Sequence, residues 1–282
     1  MVAKLASSGR DVAEIEIVAV RGDRWEPRQD RLAAEEPMEI RAAGPGQVPV
    51  SVAVTMRTPG SDEELAAGFL FTEGLIRPGA VDGVELADPA VVGHPDNVVT
   101  VRLLEPFDAS AVASRSFVAS ASCGICGKAS LDSVATRCDR LPPGPVVRAS
   151  VVRRLPEALR AAQHVFDATG GLHGAGLFDR RGRLVAARED VGRHNALDKL
   201  VGSKVLEGGI PLHDAVLLVS GRVSFEIVQK AAMAGIPIVC AVSAPTGLAV
   251  DTAEALGMTL VGFLRGDRFN VYTHPGRVSL EA

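Results

Sequence analysis

AVLLVSGRVSFEIVQKAAMAGIPIVCAVSAPTGLAVDTAEALGMTLVGFL, residues 215–264, decides the fold class. It holds three short apolar runs, at 215–219, 236–242 and 258–264. Runs this short and this apolar are strands covered on both faces. Between them lie two segments of helical length, 225–234 closed by Gly235 and 248–256 closed by Gly257. Strands alternating with helices make βαβ units, hence a parallel or mixed sheet covered by helices. Upstream, 191–206 reads as a helix closed by Gly208-Gly209. Residues 174–188 read as a hairpin turning at Arg181-Gly182, and 156–167 as a helix ending at Gly170-Gly171.

The first half is less regular. Val48, Val50, Val52, Val54 and Met56 alternate with Pro49, Ser51, Ala53, Thr55 and Arg57, the period of a half-buried strand. Thr58-Pro59-Gly60 ends it. Ser61 and Glu64 then have capping-box spacing ahead of a helix over 62–73. Residues 99–103 alternate again, and EIEIVAV at 14–20 predicts a further strand. VASASCGICGKAS, residues 118–130, reads as an exposed loop, with a short helix at 130–138. The Pro- and Gly-rich break at 141–145 predicts a domain boundary. The expectation is a mixed α/β (α+β) protein of two domains, 1–145 and 146–282.

Composition excludes several classes. The 282 residues are 47% hydrophobic and 23% charged, the balance of a globular protein with a sizeable core. Thirty Lys and Arg against 34 Asp and Glu give a net charge of −4, which argues against nucleic acid as a partner. No apolar run reaches the roughly 18 residues of a membrane span. The N-terminus lacks the apolar core of a signal peptide. A cytoplasmic protein is expected, with no membrane partner.

The βαβ order places four polar stretches at strand carboxyl ends: 188–190, 220–224, 243–246 and 265–268. In open α/β sheets ligands bind beyond those ends. Three of the stretches carry arginine and three precede a helix, whose free N–H groups favour anions. One such stretch is ordinary turn chemistry, but four on one rim point to a phosphate-bearing ligand. His173 and His194 fall at junctions bordering that rim. A lone histidine is more often structural than functional.

Cys123-Gly124-Ile125-Cys126-Gly127 is the sharpest motif. A structural zinc site needs four ligands, usually two paired knuckles. Here Cys138 is isolated, Cys240 lies inside a predicted strand, and His94, His164 and His213 have no ligand spacing. No metal is expected. A thioredoxin-like dithiol opens a helix just after a strand, unlike this small-residue loop. A turn with two incidental thiols, and a nucleophilic or carrier thiol, both stay open. Flanking glycines let the backbone enter another protein's site, and Lys128 favours the thiolate.

Longer stretches carry a resemblance. TMRTPGSDEELAAGFLFTEGLI at 55–76, CGICG at 123–127, REDVGRHNALDKLVG at 188–202, SGRVSFEIVQKAAMAGIPIVCAVSAPT at 220–246 and GFLRGDRFNVYTH at 262–274 resemble the FdhD family. That family comprises sulfur-carrier accessory proteins of formate dehydrogenase, and the likeness covers nearly everything from residue 38. It implies a sulfurtransferase. A persulfide accepted from a cysteine desulfurase on Cys123, with Cys126 as partner thiol, would pass to the molybdenum cofactor. That cofactor, Mo-bis(molybdopterin guanine dinucleotide), would then enter formate dehydrogenase.

The resemblance further implies a C-terminal domain similar to cytidine deaminases in fold, without their H-x-E and P-C-x-x-C zinc signature. By the family's pattern, Phe263, Leu264, Arg265, Gly266, Asp267 and Arg268 bind the cofactor. Ser220, Gly221, Arg222, Ser243 and His194 are candidates beside them. GDP is the expected partial ligand, and two guanine ends suit a homodimer. The alternative function is a non-catalytic chaperone that holds the cofactor. Gly174, Gly176 and Gly247 depart from the family, which commonly has Ala, Ala and Ser there.

Overall fold

The computed structural model describes residues 6–7, 11–87, 94–113 and 139–280. Cys123, Cys126, Lys128 and Cys138, with the loop and short helix expected at 118–138, lie outside the described residues.

After the two-residue β1 (Ala6–Ser7), β2 (Val12–Arg21) and β3 (Arg24–Ala33) form a long antiparallel hairpin. The strand expected at 14–20 lies within β2. Its partner β3 was invisible, because RWEPRQDRLA is polar on both faces and mostly exposed. A four-stranded sheet follows, in the order β5-β4-β7-β6. It is built from β4 (Glu36–Ala43), β5 (Val50–Arg57), β6 (Val81–Leu86) and β7 (Val98–Leu103). Strands β5 and β7 are those the alternation predicted. Helix α1 (Asp62–Thr72) packs on β6 and β7. A short α2 (Ser110–Ala113) ends this half.

The second half is a six-stranded mixed sheet in the order β10-β9-β11-β12-β13-β14. The hairpin pairs β9 (His173–Phe178) with β10 (Leu184–Asp190) around the expected turn. At the centre β11 (Val216–Val219), β12 (Ile238–Ala241) and β13 (Thr259–Arg265) run parallel. The edge strand β14 (Arg268–Thr273) returns antiparallel. Outside the sheet, β8 (Val147–Arg148) pairs with β15 (Val278–Ser279).

The apolar runs were legible because both faces of the sheet are buried. Along β11 and β12, Leu217, Val219, Val239 and Ala241 enter the larger core. Alternate residues Val216, Leu218, Ile238 and Cys240 enter a smaller core on the other face. Helix α3 (Ala149–Ala161) closes that smaller core with Val151, Val152, Leu155 and Leu159. The larger core lies under α5 (Arg193–Leu206), α6 (Phe225–Met233) and α7 (Gly247–Ala255). It also takes in Met38, Ile40, Leu65 and Leu70, so one core runs through both halves of the chain.

Two expectations are corrected. The helix set at 156–167 is two helices, α3 and α4 (His164–Thr169). Pro156, a residue at home in a first turn, lies inside α3. The helix continues through it because Val151, Val152, Leu155 and Leu159 bury one face. The capping box also does not form. Ser61 is left-handed (φ 54°, ψ 38°) and makes no side-chain cap, and Glu64 pairs instead with Arg188.

Helices α1 and α5 cross where neither has a side chain. A methyl group on Gly68 would run into the Asp198 carbonyl, and one on Gly202 into the Glu64 carbonyl. The obstacle in each case is backbone, which cannot rotate away. We expect Gly68→Ala or Gly202→Ala to destabilise the protein by about 1–3 kcal/mol or more, the usual cost of overpacking. Gly247→Ala, whose Cβ meets nothing within 4 Å, serves as the control with little change. Urea unfolding of the three variants checks this.

Candidate functional site

The rim forms as the topology requires. Both β10 and β11 are antiparallel to β9, and β11, β12 and β13 are mutually parallel. Their carboxyl ends therefore share one edge of the sheet. The first residues of β9 and β14, His173 and Arg268, lie on the same edge.

Three of the four polar stretches are bonded to one another. Val223 N–H donates to the Ala244 carbonyl (3.2 Å) and Thr246 N–H to the Val223 carbonyl (3.0 Å). Phe263 N–H donates to the Ser243 carbonyl (3.0 Å). Arg265 Nε reaches the Val242 carbonyl at 3.2 Å. Arg265, Gly266, Asp267 and Arg268 form an exposed turn between β13 and β14. Leu264 is fully buried in the smaller core, so it offers the rim backbone only. Phe263 is 41% exposed and holds a left-handed φ of 53°. A bulky residue in that conformation is strained, and such strain clusters at functional sites.

The fourth stretch shares the edge but not its chemistry. Arg188 is taken by Glu64 in a bidentate ion pair. The Glu189 carboxylate accepts from Val165 and Phe166 N–H at 3.0 and 2.9 Å, capping α4. Asp190 is completely buried, 2.8 Å from Lys199 Nζ. It also accepts from Thr58 N–H (3.1 Å) and Asn195 Nδ2 (3.1 Å). Asn195 Nδ2 further donates to the Met56 carbonyl and Lys199 Nζ to the Thr58 carbonyl. The stretches 55–58 and 188–199 are thus partners of each other. The expectation that the side chains of 188–190 line a ligand site is corrected, because ion pairs and backbone hydrogen bonds within the protein engage all three.

Ser220 is also committed. Its hydroxyl accepts from Gly174 N–H (2.9 Å) and its own N–H donates to the Gly174 carbonyl (2.9 Å). Arg222 is exposed, and Gly221 and Ser243 are part-exposed on the rim. His173 and His194 both border the rim. His194 Nε2 lies 2.8 Å from Glu226 Oε2 and 3.3 Å from Ser224 Oγ. This hydrogen bond and the imidazole beside it hold the Glu226 carboxyl below its ordinary pKa, against the cost of its burial. Glu226 was missed in the sequence. It stands 32 residues from His194, in a different element, with no local spacing to reveal it.

Arg193, the first residue of α5, was also missed as a rim group. Two clefts elsewhere, one beside Arg57 and His94 and one between Phe71 and Met233, contain none of the rim residues. No helix among the described residues is long and apolar enough to cross a membrane.

The profile of the FdhD/NarQ family matches residues 33–279. The chain belongs to the FdhD/NarQ family. Relatives named sulfur carrier protein FdhD extend that match over almost the whole chain. The protein from Streptomyces avermitilis is 48% identical, over 97% of this chain and 98% of its own length. That from Nocardia farcinica is 48% identical, over 96% of each. The likeness reaches the archaeon Sulfurisphaera tokodaii at 44% identity, over 95% of this chain and 99% of the relative. A crystal structure described as a formate dehydrogenase accessory protein, from Desulfotalea psychrophila, superposes with a TM-score of 0.71. It is 24% identical and covers 95% of this chain and 99% of its own. That likeness establishes a shared fold for this FdhD/NarQ family member.

His173 supplies a pH test of the rim. Burial, followed by the charges of Arg193 and His194, lowers its pKa below that of a free imidazole, with Asp190 opposing. The unfolded chain takes up this proton near pH ~6.5, whereas the folded chain resists it. Below that pH the unfolded state binds more protons, so stability falls as pH drops. We expect His173→Gln to flatten this loss in urea midpoints followed from about pH 7.5 to about pH 5.

Proposed function

We propose that this protein is a sulfur carrier serving formate dehydrogenase. The observation that carries the reading is its 48% identity, over 97% of the chain, to a protein named sulfur carrier protein FdhD. The chemistry follows from Cys123 and Cys126. The Cys123 thiolate attacks the outer sulfur of a cysteine desulfurase persulfide. The donor's S–S bond breaks, its own thiolate leaves, and Cys123 becomes the persulfide. Cys126, three residues on, acts as the partner thiol. The outer sulfur then passes to the molybdenum of bis(molybdopterin guanine dinucleotide), which is cargo and not a resident cofactor: the Cys123 persulfide S–S bond breaks, Cys123 leaves as the thiolate, and the reduced metal of the cargo supplies the two electrons that make the transferred sulfur a sulfide ligand.

In this reading the rim holds the cargo through its guanine nucleotide ends. The exposed turn carrying Arg265, Gly266, Asp267 and Arg268 offers a carboxylate and arginines close together. Asp267 can accept from the N1–H and N2–H₂ edge of guanine, which adenine lacks. Phe263, held out of the core, presents a ring for stacking. Two guanine ends on one cargo suit a homodimer in which each copy holds one end.

Incubation with desulfurase and cysteine should add one sulfur, about 32 Da, to Cys123. Cys123→Ala should lose that adduct and fail to mature formate dehydrogenase in a deletion strain, while remaining folded. Cys126→Ala should impair maturation less. Full maturation by the Cys123→Ala chain would reject the carrier role, and an essential Cys126 beside a dispensable Cys123 would exchange their roles.

GDP should bind and ADP should bind much more weakly. A site built to hydrogen-bond rejects the analogue that leaves its polar groups unpaired. Arg265→Ala should weaken GDP by roughly 1.5–3 kcal/mol, the worth of one charged hydrogen bond. Calorimetry giving equal affinities for GDP and ADP would remove this turn as the guanine site and leave the thiol chemistry standing.

A further inference from the structure

The edge of the six-stranded sheet opposite the rim carries a cleft of about 490 Å³. The parallel strands β11, β12 and β13 begin at that edge, and the last turns of α1 and α6 lie beside it. The cleft floor is apolar, formed by Phe71, Ile76, Leu141 and Met233. Its walls are polar. Arg77, Arg140 and His213 line them, exposed, against one carboxylate, Asp139.

Arg140 is not consumed by the fold. A Cβ on Gly257 would stand 3.1 Å from Arg140 Nε, so the side chain passes over that glycine. Gly257 follows α7, and a cation there ordinarily serves the last carbonyls of the helix. Those of Thr252, Ala253, Glu254 and Leu256 already accept from backbone N–H groups at 2.8–3.2 Å. Neither Arg77 nor Arg140 has a side-chain hydrogen bond or ion pair among the described residues.

Arg277 adds a further charge behind Arg140. Its Nη1 donates to Thr259 Oγ1 at 3.1 Å, at the start of β13, and no carboxylate pairs with it among the described residues. Burial and the charge of Arg140 lower its pKa below the ordinary guanidinium value. A chain of net charge −4 thus gathers arginines without partners at one edge.

We propose that this cleft binds a short acidic segment of another protein, which seats an apolar side chain on the floor and sets carboxylates against Arg77 and Arg140, with Arg277 behind. Charge complementarity selects the acidic partner, because arginine groups recognise carboxylates through paired N–H donors. The shape selects a protein segment over a small ligand. A small-molecule site encloses most of its ligand, whereas Arg77, Pro78, Pro142 and His213 remain exposed along this cleft. The inference is independent of the nucleotide reading, since no rim residue lines the cleft.

Fluorescence anisotropy with the full-length chain tests the cleft. The probe is a labelled peptide of alternating Glu and Leu, and two controls alternate Lys with Leu and Glu with Ser. The Glu–Leu peptide should bind. The Lys–Leu control should bind about tenfold or more weakly for want of charged hydrogen bonds. The Glu–Ser control should weaken as much for want of a buried apolar side chain. The double variant Arg140→Gln, Arg277→Gln should cost the Glu–Leu peptide about tenfold or more in affinity, and Arg265→Gln, on the rim, should leave it unchanged. Failure of the Glu–Leu peptide to bind, equal binding of either control, or affinity unmoved by the double variant overturns the proposal. So does binding lost on Arg265→Gln. Sedimentation supplies a second arm: self-association of the native chain that disappears in the double variant gives the cleft to a second copy and overturns the partner reading. If the double variant unfolds by circular dichroism, Arg77→Gln decides, and unchanged Glu–Leu affinity overturns the proposal.

Discussion

Asp198 sits where three helices meet, and the arrangement of the two sheets depends on how its charge is satisfied. Its carboxylate accepts from Lys230 Nζ at 3.1 and 3.0 Å and from the Thr72 hydroxyl at 2.7 Å. Lys230 reaches on to Glu73 at 2.8 Å. Burial alone would lower the Lys230 pKa, but Asp198 and Glu73 together outweigh it and raise it. The pair joins α5 to α6 and, through Thr72 and Glu73, to the end of α1. Removing one partner of such a buried pair strands the other and typically costs about 3–5 kcal/mol. The glycines at the α1–α5 crossing bring the backbones close enough for this network to form. The first-half sheet is thereby fixed against the second.

The same logic governs the polar residues at the strand ends. Arg57, 1% exposed, is bonded to Asp62, Glu36 and Asn97 and ties β5 to the start of α1. Arg188, Glu189 and Asp190 close other joints. A buried charge in this chain is structural when it has found its partner. Arg193 differs, since its Nε is buried with no hydrogen-bond partner among the described residues.

The two parts of the proposed chemistry call for different environments. A thiol that receives and delivers sulfur must reach solvent, unlike Cys240, whose burial in the smaller core pushes its pKa up to about 12. The rim instead requires fixed donors, and the bonds linking 223, 244, 243 and 263 supply a rigid frame. Strain at Phe263 is tolerated because that frame over-determines its backbone.

The sequence by itself determined the mixed α/β class, the central strands and the rim on which their ends fall. Those features are local: an apolar run with both faces buried and a glycine closing each helix can be read without neighbours. It also marked His173 and His194 as bordering the rim. What it could not decide was which polar residue meets which. The Asp190–Lys199 and Asn195–Met56 bonds, the Glu64–Arg188 pair and the His194–Glu226 contact join residues through space. Glu64 reads as a helix cap in isolation, and becomes a partner of Arg188 only when α1 packs on α5. Pro156 reads as a helix start, and becomes a helix interior only because the smaller core needs Val151 and Val152. Pairing energy between distant charges is a property of the packed state, so only the tertiary structure could assign the joints.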